Sequence, residues 1–318
     1  MMTATSITNH APYNHYSHFL RERYAGKRVY KIIVDAGFTC PNRDGNKGFG
    51  GCAYCNVDSF TPETRKLPSL QRQIEESAAR ARKNYKAEKF IVYFQPNTNT
   101  YADADTLKRI YDEALSVLPE DTVGLSVGTR PDCLDTEKVQ LLQSYCHQGF
   151  FVDVEMGMES IYNNTLQQIN RQCSHEDFVN AIDLLNETPV EVCVHTIFGL
   201  PGENREMMLK YIDEINRLAK IRYIKFHHLH IVSGSILGVK YQREPFPLFS
   251  LEEYTDLLCE MLPRLRPDVV IQRLFGISDP EVLIAPKWNL KKSQIQNYIE
   301  GEIRRRNIVQ GSGFINIV

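Results

Sequence analysis

The sequence has no apolar run that approaches the ~18 residues of a membrane span. Its beginning also lacks the basic and apolar regions of a secretory leader, so we expect a cytoplasmic protein with no membrane partner. The 37 Lys and Arg residues are balanced by 39 Asp and Glu residues, which excludes a global basic field for nucleic-acid binding. Glycine-rich dinucleotide, phosphate-loop and Ser/His/Asp patterns are missing as well.

The chain is long enough for a large core. Its 318 residues, 42% of them apolar, suit one α/β barrel or two smaller domains. Eight cysteines in a reducing compartment are free thiols or metal ligands rather than disulfides. Five of them are scattered singly, and we predict buried, unreactive thiols at Cys133, Cys146, Cys173, Cys193 and Cys259.

The other three cysteines share one glycine-rich loop. Cys40, Cys52 and Cys55 follow an apolar run at 29–34 that predicts a buried strand. A structural zinc site normally takes four protein ligands, whereas a cubane iron–sulfur cluster on three cysteines keeps one iron open. A lone CxxC also occurs in zinc and redox sites, so both alternatives stand at this point.

Strand and helix patterns alternate strictly over about 200 residues. This alternation predicts a parallel sheet with right-handed crossovers, and six repeats favour an incomplete barrel. The predicted strands are residues 29–34, 90–94, 123–127, 150–156, 190–197 and 223–229, and the helices between them are 69–86, 103–118, 136–147, 175–187 and 203–219.

The pattern changes after residue 233. Helices are predicted at 251–262 and 292–306, with a strand-like run at 269–274 between them. We therefore predict an α/β fold in three parts: a lead-in or cap at 1–27, a partial (β/α)6 barrel at 28–232, and a C-terminal α/β extension packed on the barrel at 233–318.

The predicted strands end in polar residues. Barrel sites lie at the C-terminal ends of the strands, so these residues should gather beside the cysteines. Asp153 and Glu155 are expected to point into the barrel with Arg130 or Arg171 as partners. His228 and His230 share one strand face and are either metal ligands or a satisfied structural pair. The strand-end residues that we expect at this rim include Gln95, Arg130, Glu155, Gly157, Glu159, Ser160, Arg171 and His195.

Several motifs occur together and resemble one family. They are DAGFTCPNRDG at 35–45, GGCAYC at 50–55 and the segments 94–95, 98–101, 128–132, 169–171, 199–203 and 283–288. Together they resemble the radical S-adenosylmethionine (radical SAM) superfamily, in its YhcC/YtqA-like family related to the Elongator catalytic subunit. The eleven residues between Cys40 and Cys52 fit that branch, although three is the commoner spacing in the superfamily.

The resemblance implies two cofactors. A [4Fe–4S] cluster would sit on Cys40, Cys52 and Cys55, and the methionine end of SAM would occupy the fourth iron. One electron then yields a 5′-deoxyadenosyl radical that takes a hydrogen atom from the substrate. The implied SAM contacts are Tyr54 at the adenine, Arg171 at the carboxylate, and Glu159 and His195 at the ribose. Ser126 is a further implied contact. Gln95 is another, because it stands where the wider superfamily usually has Gly-Gly-Glu.

The resemblance also implies partners. Relatives act on tRNA wobble uridines, so the leading hypothesis is processing of a C5 carboxymethylaminomethyl group, with a flavodoxin or ferredoxin as electron donor. Radical chemistry on a small-molecule or porphyrin-like acid is the alternative, and a non-catalytic cluster-binding regulator is another. Three basic clusters are either solvated helix faces or RNA contacts, and they lie at 80–83, 291–292 and 304–306. The C-terminal basic helix is our candidate for an RNA contact.

Overall fold

The structure is a computed structural model that describes residues 11–56 and 67–315. Residues 1–10, 57–66 and 316–318 lie outside the described part, and each of the three predicted segments includes one of these stretches. In the described ranges, no helix is long and apolar enough to cross a membrane.

A parallel sheet organises the molecule. Seven strands lie in the order β1-β2-β3-β4-β5-β6-β8, and each neighbouring pair is parallel. The predicted α/β partial barrel is therefore confirmed. Its strands are β1 (Val29–Val34), β2 (Lys89–Phe94), β3 (Thr122–Thr129), β4 (Phe151–Glu159), β5 (Glu191–Phe198), β6 (Ile221–His228) and β8 (Val270–Arg273).

Helices on the outer face connect the strands. Polar residues begin most of them: Ser69, Asp103 and Asp135 each accept a hydrogen bond from the backbone N–H three residues on. The Ser174 and Asp177 pair forms a capping box at a fourth helix. The connecting helices are α2 (Leu70–Tyr85), α3 (Ala104–Ser116), α4 (Thr136–His147), α5 (Asn163–Gln168), α6 (His175–Leu185) and α7 (Arg205–Arg217).

The central strands are buried on both faces, because helices cover one side and the barrel interior the other. Strand β1 differs from this expectation: it is an edge strand, and Ile33 on it remains 54% exposed. The prediction of a buried strand at 29–34 is therefore wrong for Tyr30 and Ile33. Ile33 faces a cavity at the C-terminal edge of the sheet, and Tyr30, on the opposite face of the strand, stacks on the exposed Tyr85.

The C-terminal segment joins the sheet. Strand β8 pairs with β6, with Tyr223 opposite Val270, so the barrel has a seventh strand that the six-repeat prediction assigned to the extension. A two-stranded antiparallel sheet joins β7 (Ile231–Val232) to β9 (Leu283–Ala285). The helices of this segment are α8 (Ile236–Arg243), α9 (Leu251–Arg264) and α10 (Lys292–Arg305).

Helix α1 (Tyr16–Arg23) lies at the other end of the barrel. Its Leu20 is buried with Phe151, Tyr223 and Val270, which stand near the beginning of their strands. The residues just before α1 are bound to β8, because the Ile271 N–H donates to the Asn14 carbonyl at 2.8 Å. The C-terminal ends of the strands are left for the site.

Candidate active site

A cavity of about 470 Å³ opens at the C-terminal edge of the sheet. Eight of the nine predicted site residues line it, namely Cys40, Cys52, Tyr54, Cys55, Gln95, Glu159, Arg171 and His195. The ninth, Ser126, is fully buried beneath the cavity and does not line it. The sheet therefore brings the cysteine loop and the ends of four later segments to one place.

The cysteine loop is fastened to the chain that follows α5. The Ala53 N–H donates to the Ile169 carbonyl at 2.7 Å, and the Asn42 Nδ2 donates to the Asn170 carbonyl at 2.6 Å. In return, the Asn170 Nδ2 donates to the Gly51 carbonyl at 2.8 Å. Asn170 adopts φ 51°, in the left-handed region that asparagine tolerates better than most residues. These bonds fix the loop although it has no regular secondary structure of its own.

The three cysteines of the loop are more widely spread than the ligands of a single metal ion. In the described residues, the one group of three metal-ligand side chains whose ligand atoms lie within 4.8 Å of one another is Glu155, Cys193 and His195. Thiolates on one zinc ion, with Zn–S of about 2.3 Å, would lie closer together than that limit. Among the described residues, the three loop sulfurs are therefore not arranged as the ligands of one zinc ion.

Burial and the neighbouring Cys52 raise the pKa of the Cys55 thiol to about 12. An uncompensated thiolate is costly here, so metal cations are the natural partners of these sulfurs.

Arg171 places a positive charge beside the loop. Its side chain is buried, its Nη1 donates to the Cys52 Sγ at 3.6 Å, and its Nη2 donates to the Gly157 carbonyl at 2.9 Å. Glu159 Oε1 lies 3.8 Å from the same guanidinium. A Cβ on Gly157 would lie 2.9 Å from Nη2 and closer still to Glu159, so a larger residue here would displace both side chains.

A second arginine supports the first. The Arg130 guanidinium forms a two-pronged ion pair with Asp132, with both N–O distances at 2.9 Å. Two further N–H groups of this guanidinium bind the backbone carbonyls of Arg171, at 2.9 Å, and Gln172, at 2.8 Å. Arg130 therefore positions the segment that carries Arg171 and commits four of its five N–H donors to these contacts.

The predicted partners of the inward-facing carboxylates are wrong. Asp153 and Glu155 pair with Lys31 on β1, at 2.9 and 2.6 Å, rather than with Arg130 or Arg171. Lys225 on β6 and the Tyr93 hydroxyl also donate to Glu155. The arginines lie on the rim, above the interior layer in which the register of the strands places both lysines.

This interior network orients His195. Burial opposes ionisation of Glu155, but Lys225 and Lys31 outweigh it and hold the pKa of Glu155 well below its usual value. Burial and Lys225 lower the pKa of His195, so the ring is neutral at pH 7. Its Nε2 lies 2.8 Å from the ionised Glu155, which can only accept. The Nε2 therefore carries the proton, and Nδ1 is left as an acceptor that suits a hydroxyl group.

Ser126 belongs to the same interior layer. Its hydroxyl accepts a hydrogen bond from Lys31 Nζ at 2.9 Å and lies 3.4 Å from Glu155. It supports the network beneath His195 instead of facing the cavity.

Arg43 is a cavity residue that sequence reasoning did not select. It lies on the cysteine loop and lines the cavity, and its Nη1 is buried without a hydrogen-bond partner among the described residues. A guanidinium with an unmet donor next to three thiols suits a carboxylate ligand. Its place between Cys40 and Cys52 was the signal available in the sequence.

The remaining predicted groups lie elsewhere. His228 and His230 form a pair, with their Nε2 atoms 2.8 Å apart. Neither lines the cavity beside the cysteine loop, which we call the cluster cavity. Of the scattered cysteines, Cys133, Cys193 and Cys259 are buried as predicted, whereas Cys146 and Cys173 are half-buried.

The chain is similar to known proteins. The profile of the radical SAM superfamily matches residues 40–215, and that of the radical SAM C-terminal domain matches 221–305. Protein YhcC of Escherichia coli is 36% identical over 269 residues, which cover 85% of each chain.

Two further matches extend over different shares of the chain. A tRNA uridine(34) acetyltransferase of Methanocaldococcus infernus is 31% identical over 139 residues, which are 43% of this chain and 25% of that protein. The solved structure of the Elp3 protein of Methanocaldococcus infernus superposes with a TM-score of 0.65 at 20% identity. It covers 89% of this chain and 64% of that one.

The matched families settle the class of cofactor. Radical SAM enzymes use a [4Fe–4S] cluster and SAM, and the site fits both: three cysteine thiols lie on one loop, and the cavity beside them has in its wall the Arg43 donor that lacks a partner among the described residues. The chain belongs to the radical SAM superfamily, as an enzyme of its YhcC-like family.

Proposed function

We propose that this enzyme modifies a tRNA wobble uridine, in the processing of a carboxymethylaminomethyl group at C5. The observation that carries the proposal is the similarity to a protein named for tRNA uridine(34), over 43% of this chain. The barrel shared with Elp3 is compatible with it as a fold. The matched tRNA enzyme is about four times as long as the matched segment, so its whole activity is not carried over.

The residues of the cavity divide the work of holding the cofactors. Cys40, Cys52 and Cys55 hold the cluster, and Arg43 and Arg171 offer guanidinium donors to the carboxylate of SAM. When bound, the cluster and SAM supply the radical that takes a hydrogen atom from the substrate.

Other side chains position the nucleoside end of SAM. Tyr54, half-buried between Cys52 and Cys55, is our candidate for contact with the adenine. The His195 Nδ1 and the Glu159 carboxylate can accept hydrogen bonds from ribose hydroxyls. Gln95 lines the cavity with its side chain exposed, and it stands where the wider superfamily usually has Gly-Gly-Glu after the second strand. Together these side chains would exclude water and hold SAM against the cysteine loop.

The proposal includes a compartment and an electron source. All eight cysteines are free thiols, which fits the reducing cytoplasm. A small acidic redox protein such as a flavodoxin or ferredoxin would deliver the electron to the cluster loop.

Two experiments test the function in order. Anaerobically purified and reduced protein should form 5′-deoxyadenosine from SAM, and more of it with tRNA from a strain that lacks the gene. Mass spectrometry of nucleosides in bulk tRNA should then show altered wobble uridines in that strain. Wobble uridines that are identical with and without the gene would remove the tRNA proposal and favour a small-molecule acid as substrate.

A further inference from the structure

A second cavity, of about 720 Å³, lies beside the beginning of α10. Its wall includes the indole of Trp288, the imidazoles of His228 and His230, and three lysines, Lys287, Lys291 and Lys292. An aromatic wall next to a group of cations is the composition with which proteins bind bases and phosphates together. The superfamily resemblance assigns no ligand to this cavity.

The three lysines keep their charge available. In the described part of the chain, none of them takes part in an ion pair, and all three side chains are exposed at the cavity. The other end of α10 differs, because Arg304, Arg305 and Arg306 are paired with Glu300, Glu302 and Asp256. The free positive charge of this basic helix therefore lies at its beginning, where it faces the cavity.

A buried nitrogen in the wall lacks a partner. His228 is 4% exposed, and its Nδ1 has no hydrogen-bond partner among the described residues. Its Nε2 is shared with His230 at 2.8 Å, and its ring stacks on Trp288 with centroids 4.1 Å apart. Burial lowers the pKa of both imidazoles, so each is neutral and has one donor and one acceptor. Buried polar atoms are normally satisfied, and an orphan in a cavity wall points to a bound group.

Histidines connect this cavity to the cluster cavity. His195, in the cluster cavity, contacts the ring of His227 at a centroid distance of 5.5 Å. A Cβ on Gly276, in the second cavity, would lie 3.2 Å from both His227 and His230. His227 therefore lies between a residue that lines the cluster cavity and two residues that line the second cavity.

We propose that the second cavity binds a phosphate-bearing nucleotide of the RNA substrate, next to the nucleotide that enters the cluster cavity. This inference rests on the proposed function and adds where the RNA is held. The lysines would bind the phosphate, and the polar edge of the base would meet His228 in a wall formed by Trp288. An RNA footprint of a few nucleotides is also compatible with the overall charge of −2.

The chain carries its own probe of this cavity. Trp288 is the single tryptophan of the 318 residues, so intrinsic tryptophan fluorescence reports on the second cavity alone. We expect uridine 5′-monophosphate to change this fluorescence saturably, and uridine or inorganic phosphate to require at least about tenfold higher concentration, since each lacks one half of the contacts. Inorganic phosphate that binds as tightly as the nucleotide would overturn the proposal in favour of a bare anion site.

Variants separate the cavity from general basicity. Lys291→Gln with Lys292→Gln should weaken the binding of uridine 5′-monophosphate and of an anticodon stem-loop by about tenfold or more. The matched control, Arg80→Gln with Lys83→Gln on the exposed face of α2, should leave both affinities unchanged. Thermal unfolding of both double variants checks the fold. Equal binding by wild type and the Lys291/Lys292 variant would overturn the proposal.

A third variant tests the orphan nitrogen. His228→Phe keeps a ring against Trp288 but removes Nδ1, so it should also weaken the binding of uridine 5′-monophosphate. If this variant fails to fold, the lysine variant still decides the question. Lysine-dependent nucleotide binding, together with unchanged wobble uridines in the strain that lacks the gene, would remove the proposed function and leave the nucleotide site standing. No saturable fluorescence change with either the nucleotide or the stem-loop would overturn the site.

Discussion

The Arg171 guanidinium reaches the Cys52 sulfur at 3.6 Å, although the two residues are 119 positions apart in the sequence. The same guanidinium is held by the Gly157 carbonyl on β4 at 2.9 Å. One side chain therefore joins the cysteine loop to the interior of the barrel. A displacement of Arg171 should therefore change cluster and SAM binding more than it changes the stability of the fold.

We expect Gly157→Ala to weaken SAM binding with little loss of stability. The new Cβ would overlap the ends of the Glu159 and Arg171 side chains, which can move aside, whereas the backbone is not touched. Equilibrium dialysis with SAM and thermal unfolding measure the two effects. The matched control is Gly301→Ala on α10, where nothing lies within 4 Å and stability should rise by up to ~1 kcal/mol. Unchanged SAM affinity in Gly157→Ala would contradict the role of Arg171.

Each of the three loop cysteines should be needed for iron. Cys40→Ala, Cys52→Ala and Cys55→Ala should each lose most of the iron and acid-labile sulfide found in anaerobically purified wild type, because a cluster on three protein ligands tolerates no vacancy. Cys146→Ala, on α4 away from the cavity, is the control and should keep its iron. Stoichiometric zinc without iron in the wild-type protein would refute the cluster assignment.

Arg43→Gln should raise the dissociation constant of SAM by roughly 10- to 100-fold, the usual effect of removing a hydrogen bond to a charged group. The reason is its buried Nη1, which has no partner among the described residues. Arg21→Gln on the exposed face of α1 is the control. Iron content, measured in parallel, separates lost SAM binding from a lost cluster. If SAM binds Arg43→Gln as it binds the wild type, the carboxylate is held by other groups.

Glu155→Gln should destabilise the folded protein by about 3–5 kcal/mol at pH 7, because Lys31 and Lys225 would remain buried without a full counter-charge. The pKa of Glu155 is depressed in the folded state, so its contribution is complete above its unfolded pKa of about 4.3. The contribution is lost as the pH falls toward the folded value.

Urea unfolding at several pH values checks this result. The difference in the free energy of unfolding between wild type and Glu155→Gln should shrink below about pH 4. A difference that grows on acidification would contradict the role of Glu155 as the ionised partner of the two lysines. Glu206→Gln, whose side chain is 82% exposed, should stay within about 0.5 kcal/mol of wild type throughout.

The sequence was sufficient for the repeat pattern of the barrel. Long apolar runs separated by capped, periodic segments predicted six strands and the helices between them, and α4 occupies the predicted residues 136–147. Helix α5 was missed because six residues with one apolar member, Leu166, carry no periodicity. The strand at 270–273 was assigned to the extension because nothing in a short apolar run indicates which strand it will pair with.

The site was predictable in its membership but not in its internal contacts. Cysteine spacing and strand ends brought eight residues to one cavity. The partners of Glu155 were wrong because side chains that meet inside a barrel are set by the register between β1, β4 and β6, and sequence alone does not give that register. Lys31 sits in an otherwise apolar run, where its charge was the one available signal.

The tie between the two ends of the chain has a consequence during synthesis. Gln310 donates to the Pro12 carbonyl and accepts from the Asn14 N–H, both at 2.9 Å, while Ile271 also binds Asn14. The nascent amino-terminal segment cannot reach its native place until residue 310 has left the ribosome. Such non-local contacts slow folding. The contact with Gln310 can therefore form only after residue 310 has been made, when all the strands of the sheet already exist.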